Sequence, residues 1–163
     1  MRSLEFCAMS LVAALAGCGS SEPADVEGTY TIAVTNRDNG CNFNDWTVNE
    51  STPGIGVVIN QEDDAVTATI QGAVGVFLNF ALGSDTYSGS VDGDAVDLVL
   101  HGTRSATMGN CTFTYNSEIH ATADGDTLVG RVEYIAAGNG NPDCASIDGC
   151  VTYQDFNGTR PPK

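Results

Sequence analysis

His101 and His120 are the only histidines in the chain, so any histidine-dependent hydrolytic dyad or triad would run through one of them. Both lie in stretches where polar and apolar residues alternate, His120 on the polar side with Glu118 and His101 on the side of Asp97. Such positions read as exposed strand histidines that meet solvent or a neighbouring carboxylate, not as sheltered bases beside a nucleophile. The sequence contains neither a Gly-x-Ser-x-Gly elbow nor a His-Glu-x-x-His motif. Its carboxylate pairs, Asp92 with Asp94 and Asp124 with Asp126, sit in turn signals where Asp serves backbone conformation and no desolvated cleft raises a pKa. The expectation is a non-enzymatic chain that needs no cofactor.

Metal chemistry has one foothold. Asn139-x-Asn141-x-Asp143, with Asp148 further on, sets side-chain oxygens at alternate loop positions, as a calcium loop does. The glycine such a loop needs midway is Cys144 here, and the distal bidentate Glu is missing. Loop solvation is therefore expected in place of a dedicated site. A third chemistry is apolar binding: Trp46, Arg104 and Met108 fall in long connections that would rim one end of a β-structure, where ligand mouths usually form.

Charge narrows the partners. Six Lys and Arg stand against 21 Asp and Glu, a net charge of −15, so the clustered cations that neutralise phosphates are lacking and nucleic acid is excluded. With 42% hydrophobic and 17% charged residues the chain can bury a core, and its length suits one domain.

The N-terminal stretch 6–16 is an apolar run of signal-peptide length, too short to span a bilayer. It ends in Leu15-Ala16-Gly17-Cys18, which resembles the lipobox of bacterial lipoproteins at all four positions. The resemblance implies a signal peptide over 1–17, cleavage before Cys18 and acylation of that residue, which would attach the chain to a membrane. Two or three acyl chains exceed what stable anchoring requires. In that family an Asp after the lipidated Cys commonly retains the protein at the inner membrane. Gly19 stands there, which implies outer-membrane placement with the leaflet undetermined. Residues 18–27 then form the lipidated Cys and a polar tether of roughly 30 Å, followed by a single domain over 28–163.

With Cys7 in the signal and Cys18 carrying lipid, Cys41, Cys111, Cys144 and Cys150 remain. An even number in an exported chain reads as two disulfides, and the absence of any Cys-x-x-Cys spacing argues against zinc.

The elements that must position these residues are strands. Glu62-Asp63-Asp64, Asp92-Gly93-Asp94 and Asp124-Gly125-Asp126 each separate two segments of period-two alternation, the pattern of hairpins. Alternation puts Tyr30, Ile32, Val34, Val96, Leu98, Leu100, Phe113, Tyr115, Ile119, Ala121, Leu128, Val132 and Tyr134 on one face, opposite Thr-rich polar faces. No helical period is evident after the signal. The fold expected is all-β, an antiparallel up-and-down meander closing into a barrel of about 8 to 10 strands, with a two-sheet sandwich as the alternative. Eight strands require that 73–82 make no separate crossing; ten require both 42–50 and 73–82 to be strands.

Loop parity brings Cys111 and Cys144 to one end, opposite the Asp92 and Asp124 turns. Closure favours Cys41–Cys150 with Cys111–Cys144, and Cys144–Cys150 with Cys41–Cys111 is the rival pairing. Gly28-Thr29-Tyr30 resembles the Gly-x-Trp start of lipocalins, with Tyr for Trp, and that likeness concerns architecture alone.

The functional expectation is a lipid-anchored cell-envelope domain acting as a structural or protein-interaction module. The alternative is a lipocalin-like carrier of a small apolar ligand or lipid. Internal volume separates the two. The bulky inward residues predict a filled interior with Trp46 plugging its end.

Overall fold

A computed structural model describes residues 22–163. The expected signal peptide over 1–17 and the lipobox-like stretch ending in Cys18 lie outside the described residues. Nine strands form one antiparallel sheet: β1 (Gly28–Asn39), β2 (Ser51–Glu62), β3 (Ala65–Ile70), β4 (Thr86–Asp92), β5 (Ala95–Leu100), β6 (Ser105–Met108), β7 (Cys111–Asp124), β8 (Thr127–Gly138) and β9 (Val151–Thr159). Following the pairings, β1 to β5, β7, β8 and β9 close on themselves, because β5 pairs with β7 and β9 returns to β1. The molecule is thus a closed eight-stranded barrel, and the sandwich does not form. The short β6 pairs only with the first residues of β7, extending that hairpin beyond the wall.

The turn chemistry works as the sequence predicts. The leading residues of the three tight turns, Asp63, Gly93 and Gly125, have φ of 56°, 59° and 58°, a left-handed conformation open to Gly and tolerated by Asp. The predicted faces also form. Val96, Leu98, Leu100, Ile119, Leu128 and Val132 are buried inside the barrel.

Residues 42–50 form no strand and residues 73–82 make no separate crossing, so the eight-strand alternative holds and the ten-strand one does not. The expectation of no helix needs correction, because 73–82 belong to α1 (Gly72–Leu82). The helix was hidden because Val76 and Phe80 make its outer side as apolar as its inner one, which erases the 3.6-residue period. Gly72 (φ +69°) breaks the chain out of β3, and Gly83 (φ +94°) ends the helix by donating its N–H to the Asn79 carbonyl.

Part of the expected polar tether, 18–27, is docked. Val26 is fully buried, Ala24 N–H bonds the Gly93 carbonyl at 2.6 Å, and Val26 N–H bonds Gln61 Oε1 at 2.8 Å. Residues 24–27 therefore belong to the barrel. A short apolar side chain flanked by satisfied backbone groups fills the bore better than water would.

Candidate functional site

The two ends of the barrel differ. One gathers the N-terminal segment, the three Asp-rich turns and the C-terminus. It is packed solid by Val26, Ile59, Val66, Val91 and Ala123. Beneath Tyr30 lies Arg160, whose side chain is 6% exposed and whose Cζ sits 5.6 Å from the ring centroid. Its guanidinium donates to Asp126 Oδ1 at 3.0 Å, to the Asp25 carbonyl at 2.9 Å and to the Glu27 carbonyl. Nothing in the sequence marked Arg160 beyond its place just after the last strand.

The opposite end collects the connection between β1 and β2, the helix α1, β6 and the connection between β8 and β9. Both disulfides are there: Cys41–Cys150 and Cys111–Cys144, the pairing that closure favours. The first ties the base of the β1–β2 connection to the start of β9 across the seam. The second holds the β8–β9 connection against the start of β7.

Between this end and the packed floor lies a cavity of about 420 Å3. That is within the roughly 300–1,000 Å3 usual for small-molecule sites. Strand residues such as Val57, Leu98 and Ile119 wall it, and Leu78, Ala81 and Leu82 of α1 lie across its upper part. The interior is not filled as expected. Ala68 and Ala121 offer only methyl groups to it, and the helix spans the opening where a bulky plug was expected. Trp46 does not plug the end either. Its indole N–H donates to the Arg37 carbonyl at 2.8 Å, which holds the ring at the wall. Phe43 packs edge-on against Trp46, Tyr115 and Tyr134, with centroids 5.9, 5.0 and 6.0 Å apart, so one side of the opening is an aromatic cluster.

The polar groups facing this space are neutral. Tyr87 is fully buried, bonds Ser117 Oγ at 2.9 Å, and its pKa is pushed up to about 12 by burial. The Tyr134 hydroxyl donates to Gln154 Oε1 at 3.1 Å, and burial raises its pKa strongly. The ring of Tyr30 lines the floor, and its hydroxyl is buried without a hydrogen-bond partner.

Of the three expected mouth residues only Trp46 lines the cavity. Arg104 is at the same end but exposed, with its backbone N–H on the Leu82 carbonyl at 3.2 Å, and Met108 is 52% exposed at the tip of the β6–β7 hairpin. Long loops reach beyond the bore, so membership of one does not bring a side chain to its axis. The helix residues that do line the cavity went unread, although two glycines bracketing a run of Ala, Leu and Phe were a usable signal.

The oxygen-rich loop serves the backbone. Asn141 Oδ1 accepts the Asp143 N–H at 3.0 Å, Asn139 Oδ1 accepts the Asn141 N–H at 3.2 Å, and Asp143 Oδ2 receives Asn110 Nδ2 at 2.9 Å. His120 stands on the outer wall, its Nδ1 2.6 Å from Asp97 Oδ1 and its Nε2 3.7 Å from Glu118, and the hydrogen bond its ring donates to Asp97 raises its pKa. That pair is remote from the apolar interior. No protein-family model matches the chain, and no curated protein or solved structure matches it.

Proposed function

We propose that this chain is a lipid-anchored cell-envelope barrel that carries a small apolar ligand in its interior. The observation that supports the reading is the cavity of about 420 Å3, walled by apolar side chains and closed at one end by the Arg160 floor. A filled barrel would have favoured a purely structural role. The anchor is the acylated Cys18. Because residues 24–27 dock on the packed end, only residues 19–23 separate them from Cys18, a reach of at most roughly 17 Å. The packed end would then lie near the anchoring membrane and the cavity would open away from it.

Native mass spectrometry of the protein purified from its own envelope tests the carrier. A bound apolar species of fixed mass supports it, and an empty chain that takes up no hydrophobic probe ends it. Cys18→Ala tests the anchor, by loss of acyl labelling and of globomycin-sensitive processing. A second reading, a protein-interaction module, draws on one observation: Val76, Phe77 and Phe80 of α1 are 72%, 64% and 81% exposed.

A further inference from the structure

We infer that the ligand of this cavity is a neutral molecule, an alcohol, ester, ketone or hydrocarbon with a bulky apolar body, and not a fatty-acid anion. The inference rests on the carrier reading and adds the charge state of what is carried. Among the described residues lining the cavity none is Asp, Glu, Lys, Arg or His, while eight are aromatic. An ionised carboxylate taken into such a space loses its hydration and finds no cation, and that is among the most costly transfers a protein interior can impose.

The nearby cations are engaged or outside. Arg160 lies behind the Tyr30 ring, held by Asp126 and two carbonyls. Arg37 is bound to Asp155 at 2.7 Å and Asn49 at 2.6 Å. Arg104 is exposed beyond the lining. Apart from Arg104, the rim is unfavourable to a carboxylate left at the opening, since the connection that carries Phe43 and Trp46 also carries Asp45 and Glu50, on a chain of net charge −15. The phenols of the lining add no charge: Tyr87 and Tyr134 are occupied by Ser117 and Gln154, and the Tyr30 hydroxyl is buried.

Trp46 is the only tryptophan in the chain and lines the cavity, so a heavy-atom quencher that dims it reports occupancy directly. Full-length acylated protein in neutral maltoside micelles is titrated with 12-bromododecan-1-ol, with methyl 12-bromododecanoate and with 12-bromododecanoate at pH 9, where the acid is ionised even with its pKa raised by the micelle. The alcohol and the ester are expected to quench Trp46 at about tenfold lower mole fraction than the acid, or lower still. Equal or stronger quenching by the acid overturns the inference and leaves the carrier reading standing, as does acid quenching that disappears in Arg104→Ala. If none of the three quenches Trp46, both readings fall together.

Discussion

At the end where the described chain enters the barrel, Val26 fills the bore, Arg160 bonds two carbonyls and a carboxylate, and three two-residue turns keep the strands flush. At the other end the connections are long, two disulfides hold them, and an apolar helix lies across an open interior. One end is closed by packing and satisfied polar groups, the other by covalent bonds and a lid. The difference shows how a small barrel keeps a cavity without collapsing. Side chains do the stabilising where the interior is dense. Where it is hollow they cannot, and crosslinks that restrict the unfolded chain take over.

That contrast can be broken from either side. Replacing Cys41 and Cys150 together by Ser should cost the most, because this bridge spans 109 residues. The loop-entropy limit for such a span is about 4.7 kcal/mol, and denaturant unfolding of the double variant against the parent measures it. Next, Arg160→Ala should destabilise by about 3 kcal/mol, since it strands two carbonyls and exposes the Tyr30 face. A loss under about 0.5 kcal/mol would show that the floor does not depend on it.

The lid offers an internal comparison. Leu78, 4% exposed, should cost about 2–4 kcal/mol as Leu78→Ala. Phe80, 81% exposed on the same helix, should change stability by no more than about 0.5 kcal/mol as Phe80→Ala. Equal losses would mean that the outer face of α1 is covered in solution, which would strengthen the interaction reading.

The smallest effect is on the outer wall. The Asp97 hydrogen bond raises the His120 pKa, so the pair's contribution is present below the unfolded value near 6.5 and is lost as pH rises through the higher folded value. Both side chains are more than half exposed, which keeps the effect small. An NMR titration should place the His120 midpoint above 6.5, and Asp97→Asn should lower it.

Much of this molecule was legible residue by residue. Asp63, Gly93 and Gly125 sit in the turns their types demand, and the alternation of Val96, Leu98 and Leu100 or Leu128 and Val132 named the inner face. Parity of the loops brought Cys111 and Cys144 to one end, and the pairing that closure favoured over its rival is the one that forms. The helix was not legible, because Val76 and Phe80 point an apolar side outward and so remove the amphipathic period that marks a surface helix. Arg104 and Met108 were assigned to the mouth by loop membership, which carries no information about direction.

Local sequence determined where strands turn and which side of each is greasy, since those properties depend on neighbours two to four residues away. Tertiary structure alone decided that the interior is hollow, that residues 24–27 and Arg160 close one end, and that α1 roofs the other. Volume inside a closed sheet is a difference between the bore that eight strands enclose and the side chains that enter it, and no single segment carries that difference.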